Sequence, residues 1–349
     1  RAAGDGDREA LGMIRTPVLK VYGASGNDLV PAWGRTLLGV SITDSAGYES
    51  DEAVLRFSGP LDNPPPKGAP YVIHVGWDDQ APMIGRYTVS RFGGAGDPDA
   101  GDEMFVVCRA ADFVDRMKQS RSKHYDPEGG FGTAGSIFRA LAAEAGVSAA
   151  IAPELDQVEI PYRLRWNQTA LDFGSDLADD IGAVMKPQAG RLVVLGRGNA
   201  KSTSGSDLPV IEVRKEPGFS WDCDVEERRA VKTTEGGWFD AATGRLVQAH
   251  FETGRSAGLA LPMHPFASKS EAERGARALA QELGRYTGTA SFEAPGDPSA
   301  VAGAPVKASG YGSVIDGIEW EAAVVNHDVD PDGNGWTMMV ECQTRKATG

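Results

Sequence analysis

The chain has 349 residues, 41% of them hydrophobic, which is length and apolar content enough for two or three cores. Its 35 basic and 49 acidic residues give a formal net charge of −14, a surface that repels a polyanion and excludes a nucleic-acid reader. No uncharged run is long enough to span a bilayer. Three scattered cysteines, Cys108, Cys223 and Cys342, form neither a disulfide framework nor a metal-ligand spacing and point to a reducing cytoplasm.

In chain order, residues 1–13 (RAAGDGDREALGM) are polar, lack the apolar core of a signal peptide and predict a flexible leader. Residues 14–115 predict a first β-rich unit. Leu38, Val40 and Ile42 alternate with Gly39, Ser41 and Thr43, and Val54 and Phe57 fall in the next run. Tyr71, Ile73 and Val75 alternate with Val72, His74 and Gly76. A period of two marks half-buried antiparallel strands, and several at close spacing predict a barrel or sandwich. The stretch GGAGDPDAGDE reads as a long hairpin loop between MIGRYTVSRF and MFVVCRA.

Residues 116–200 predict a small α/β insert. ADFVDRMKQSRSKHYD reads as a short basic helix or linker. Thr133 caps a helix through Ala145, with Ile137, Phe138, Leu141 and Ala145 on one face and Gly146 as its stop. Thr169 and Asp172 open a second helix with the stripe Ala170, Phe173, Leu177 and Ile181, and RLVVLGRG returns as a buried strand.

Residues 201–349 predict a second β-rich unit, entered through the polar link NAKSTSGSDLP. Within it, Ser268 to Glu271 is a capping-box signature for one helix over about 268–286, with Ala272, Ala276, Leu279 and Leu283 as its apolar stripe. The chain closes on a strand, an Asp/Gly turn and a strand. The expected fold class is β-rich α+β, two β units flanking an insert, and the two units are candidates for a duplicated fold.

Chemistry-bearing motifs are few. Gly254-Arg255-Ser256-Ala257-Gly258 spells a nucleophile elbow, with His264 and His327 downstream, but Pro262 and Pro265 stop the helix that such an elbow needs. A glycine-rich β-loop is the expected state. Asp328, Asp330 and Asp332, followed by Gly333 and Asn334, match the start of a calcium loop, yet Met339 stands where a bidentate Glu is required. An Asp/Gly turn is expected there. Arg116, Lys118, Arg121 and Lys123, beside His124 and Tyr125, concentrate positive charge, either as a solvated face or as a contact with a neighbouring subunit. Trp77 and Trp320 read as core or cap residues, and Trp33, Trp238 and Trp336 as interface candidates near turns.

The order of segments resembles the phage late control D family, the tail or baseplate hubs of phages and contractile injection systems. The resemblance is carried by LLGVSITDSAGYESDEAVLRFSG, PPPKGAPYVIHVGW, IGRYTVSRF, VVCRAADFVDRMKQSRSKHYD, GSIFRALAAEAGV, RWNQTALDFGSDLADDIGAV, SKSEAERGARALAQEL and IDGIEWEAAVVNHDVDPDGNGWTMMVECQ. It implies a homotrimer in which each chain supplies two tail-tube-like antiparallel β-barrel domains, forming a pseudo-sixfold ring. Tail tube protein would meet one face and a spike or tip protein the other, with the tape-measure and other baseplate proteins as further contacts. The ring would line a channel through which DNA passes without sequence-specific binding, in a virion or phage-like particle assembled in the bacterial cytoplasm. It implies no catalytic, cofactor or metal site. The alternatives set beside it are a tail-associated peptidoglycan hydrolase and a cell-wall glycan-binding module.

Overall fold

The structure, a computed structural model, describes residues 15–345 except 47–49, 60–62, 100, 111–116, 189, 226–230, 253–258, 286–287, 332 and 334. The leader, the elbow motif at 254–258, Arg116, Asp332 and Asn334 lie outside the described residues.

Six strands come first: β1 (Pro17–Tyr22), β2 (Leu37–Ser45), β3 (Glu52–Ser58), β4 (Pro70–Trp77), β5 (Met83–Asp97) and β6 (Gly101–Arg109). They pair antiparallel in the order β1-β4-β5-β6-β3-β2. All six send side chains into one core, among them Val21, Ile42, Leu55, Ile73, Val89 and Val106. The sheet therefore curls around its own apolar face. The predicted long hairpin loop is instead mostly strand: β5 and β6 run on through the glycines, and only residues 98–100 connect them. Gly93 and Gly94 suit that ladder because an added Cβ would strike the cross-strand side chains of Phe105 and Met104.

The insert comprises β7 (Arg121–Tyr125), α1 (Ala134–Glu144), β8 (Ser148–Ile151), β9 (Arg163–Gln168), α2 (Ala170–Asp180), β10 (Ala183–Gln188) and β11 (Arg191–Gly196). The caps form as expected: Thr133 Oγ1 accepts from Ser136 N at 3.2 Å and Thr169 Oγ1 from Asp172 N at 3.0 Å. Ile137, Phe138 and Leu141 of α1 pack with Phe173 and Leu177 of α2 over β10 and β11. The expected basic helix or linker corrects to a strand over residues 121–125. Tyr125 is wholly buried against Phe131 and Phe173, and Arg121, Lys123 and His124 before it pair with β9.

The remaining elements are β12 (Ile211–Arg214), β13 (Trp221–Val225), β14 (Val231–Asp240), β15 (Arg245–Glu252), β16 (Leu259–Pro262), α3 (Lys269–Arg285), β17 (Gly288–Pro295), β18 (Pro305–Ser309), β19 (Trp320–Asp330) and β20 (Gly335–Thr344). Ser268 Oγ accepts from Glu271 N at 3.3 Å at the start of α3, which packs through Ala272 and Ala276 beside the small sheet β15-β14-β16. The other six strands pair in the order β12-β18-β19-β20-β17-β13 around a second curled core that includes Phe292, Trp320, Val325 and Val340.

Numbered within each set of six, both orders read 1-4-5-6-3-2. Finer features repeat as well. A bulge interrupts β5 between Val89 and Arg91, beside Cys108, and interrupts β19 between Ala322 and Val324, beside Cys342. The strand after each hairpin starts on a glycine of positive φ, Gly101 at 88° and Gly335 at 80°. One difference stands out: β1 and β4 are antiparallel, whereas β12 and β18 are parallel.

The expectation of closed barrels is corrected among the described residues. No pairing joins β1 to β2, nor β12 to β13, so both sheets are curled but open. Between β1 and β2 the chain forms a short helical turn over residues 30–36. Its Trp33 lies edge-on to Phe57 and Tyr71 and covers that side of the core.

Candidate assembly site

The two β units are not separate. β2 pairs antiparallel with β19 from Val40 opposite Val329 to Ser45 opposite Val324, fusing both into one twelve-stranded sheet. Side chains reinforce this seam. Thr43 Oγ1 donates to Asn326 Oδ1 at 2.8 Å, and Ser41 Oγ donates to Asp328 Oδ1 at 3.2 Å. Arg56 also reaches Asp328, at 3.2 Å. That ion pair is partly exposed and contributes at most about 1 kcal/mol, so the backbone ladder and the cores on either side carry the join.

The end of the seam holds the main electrostatic feature. Lys186 of β10 lies 2.5 Å from Asp44 of β2 and 2.6 Å from Asp51, just before β3. Asp44 Oδ2 also accepts from Ala302 N at 2.9 Å, and Gln188 Nε2 donates to Asp51 Oδ2 at 3.3 Å. One buried cluster thus ties the insert, the first unit and the second unit together. Burial pushes the Asp51 carboxyl up to about 7, with the nearby Asp44 charge adding to it and Lys186 opposing it. Burial pulls Lys186 down, but the two carboxylates outweigh it and hold the ammonium above its ordinary value. A cavity of about 520 Å³ opens beside the cluster, lined in part by Leu195, Leu208, Val301 and Glu321. Arg345 spans the same region, 3.7 Å from Glu321 and donating to Gly198 O at 3.2 Å.

The residues singled out from sequence are dispersed. Asp328 lies on β19 and is engaged with Arg56 and Ser41, and among the described residues no cluster of three metal-ligating side chains occurs. His327 is buried beside Trp336, and burial lowers its pKa, while His264 is exposed. Lys118 and Arg121 are exposed, whereas Lys123 sits over the rings of Tyr125 and Phe131 at 4.8 and 4.4 Å. His124 is hydrogen-bonded to the Tyr162 hydroxyl at 2.8 Å. Trp320 is core, as expected. Trp336 is core instead of interface, 2% exposed and 5.1 Å from Trp77. Trp33 is part-buried over the first core, and Trp238 is part-buried on β14. The exposed large apolar side chains are others, notably Trp166, Phe92, Trp221, Val225 and Phe239. Trp166 and Val225 are signalled in sequence only by unbroken strand alternation, which assigns a face without saying what covers it.

This arrangement, a repeated six-stranded unit fused at a common seam and joined to a helix-bearing insert, has counterparts among solved phage tail proteins. The 43 kDa tail protein of prophage MuSo2 from Shewanella oneidensis matches 95% of this chain and 99% of its own, with a TM-score of 0.65 and 13% identity. A component of the Escherichia coli type VI secretion system, described as structurally similar to T4 bacteriophage tail proteins, matches 96% of this chain and 75% of its own (TM-score 0.53, 7% identity). In sequence, the chain is 23% identical over 353 residues to the probable baseplate hub protein of Escherichia phage P2, covering 88% of each. No family model matches the chain. The resemblance to phage tail and baseplate hubs read from the sequence is met by curated relatives named baseplate hub proteins and by a fold shared with phage tail proteins. Among the described residues no helix is long and apolar enough to cross a membrane.

Proposed function

We propose that this chain is the hub of a phage tail or tail-like particle. It acts as a homotrimer whose six β units form a pseudo-sixfold ring between the tail tube and a spike or tip protein. The observation that carries this reading is the repeated 1-4-5-6-3-2 strand order in a single chain, fused edge to edge. Two equivalent units per chain give three chains six near-equivalent positions, which matches a threefold partner on one face and a sixfold partner on the other. Similarity to a probable baseplate hub protein of phage P2 over 88% of each chain supports the same placement. Each open, curled unit would take one of the six positions, and in the first unit the turn over residues 30–36 covers the open side. The net charge of −14 suits a channel past which DNA slides without adhering.

Light scattering on the purified chain over a concentration series tests the stoichiometry. The expected mass at high concentration is three times the 36.9 kDa chain. A dimer, or a larger assembly with no factor of three, would overturn it.

A further inference from the structure

The seam between β2 and β19 has an unfilled counterpart. The shared bulges and hairpin glycines align the two units residue by residue, with Cys108 matching Cys342 and Ala53 matching Ala290. Strand pairing then places Ile42 of β2 in register with Cys223 of β13, and Asn326 and His327 of β19 with Gly93 and Gly94 of β5. In the seam, the second strand of unit one adds to the distal half of the fifth strand of unit two. The converse edges are vacant among the described strands. β13 pairs only with β17, and residues 91–96 of β5 pair only with β6, because β4 reaches no further along β5 than Thr88.

Both vacant edges carry exposed apolar side chains. Phe92 is 53% exposed on β5, and Trp221 and Val225 are 39% and 41% exposed on β13. An edge of this kind is a template for strand addition. The two edges lie on different units of the same chain, so they are complementary head to tail, and a contact of that kind closes into a ring when the rotation permits.

We infer that β13 of one copy adds antiparallel to residues 92–96 of β5 in the next copy, repeating between chains the join that β2 and β19 make within one. Transferring the internal register sets Trp221 opposite Gly96, Asp222 opposite Ala95, Cys223 opposite Gly94, Asp224 opposite Gly93 and Val225 opposite Phe92. Val225 and Phe92 form the apolar cross-strand pair of this contact. The small residues Gly93, Gly94, Ala95 and Gly96 leave room for a partner strand to approach. The inference rests on the trimeric hub reading and adds which strands close the ring and in what register.

The test is cysteine cross-linking of the full chain in a Cys223→Ser background, where Cys108 and Cys342 are buried. Asp222→Cys combined with Ala95→Cys places the thiols on directly opposed residues, whose Cα atoms lie about 4.5–5.5 Å apart in an antiparallel ladder, within disulfide reach. Mild oxidation should give a ladder of linked chains that ends at three. Asp222→Cys with Arg91→Cys, four residues out of register and roughly 13 Å away, should give none. Three-chain particles by light scattering without cross-links in the first variant would overturn the strand pairing and leave the trimer standing. Equal cross-linking of both variants would overturn the register. A monomer at every concentration with no cross-links would overturn both the pairing and the trimer.

Discussion

Replacing Lys186 by Met lowers stability by about 3–5 kcal/mol, the usual cost of removing one partner from a buried ion cluster. The substitution leaves Asp44 and Asp51 facing each other without their shared ammonium, each mostly out of water. The affected contact is specific, since Lys186 belongs to the insert and its partners to the first β unit. The insert should therefore become the first segment cut by a protease at low denaturant, before the β units unfold. Asp51→Asn is the milder companion, because Asn resembles the protonated acid and Lys186 keeps Asp44.

The pH dependence of this cluster has a definite sign. With its carboxyl raised to about 7, Asp51 takes up a proton more readily in the folded chain than in the unfolded one, where it titrates near 3.9. Its stabilising contribution is full below about pH 4 and is lost as pH rises through 7. Between pH 5 and 8 the wild-type chain should lose stability with rising pH, and Asp51→Asn should remove that part of the slope. Urea unfolding midpoints at pH 5 and pH 8 for both proteins check this. An unchanged slope in the variant would show that the carboxylate is not taxed by its burial.

Trp320→Ala should cost about 3–5 kcal/mol, the range for deleting a large buried aromatic. Trp320 is 0% exposed, lies edge-on to Phe292 and donates from Nε1 to Ile315 O at 3.1 Å. Truncation opens a cavity in the second core and strips Ile315 O of its side-chain donor. Its strand matters beyond that core, because β19 pairs with β18 at its start, with β20 along its length and with β2 at its far end. The loss should lower the unfolding midpoint of both β units together. A shift confined to the second unit would mean that the seam transmits little.

Much of this arrangement is legible from residue spacing. The strands β2 and β4 and the helices α1, α2 and α3 follow from alternation, caps and apolar stripes, all of which are local, although a bulge between Leu37 and Gly39 buries Leu37 and leaves Leu38 exposed. The hairpin at 91–104 misleads because glycine and aspartate ordinarily signal a loop, whereas here the glycines yield to Phe105 and Met104 across the ladder. Arg121 to Tyr125 misleads because the residues that make it a strand, on β9, lie some forty positions on. The duplication leaves a faint trace in Asp97-Pro98-Asp99 against Asp330-Pro331-Asp332, and in Cys108 against Cys342. The seam and the Lys186 cluster leave none. Both are made by residues more than a hundred positions apart, and a lysine or aspartate destined for burial reads in sequence like any surface charge.

End-on electron-microscope averages of the assembled chain test the central claim most directly. Six lobes around an open pore, alternating in outline because only every other unit carries the insert, are the expected view. A filled disc, or a ring whose lobes are not a multiple of three, would contradict it.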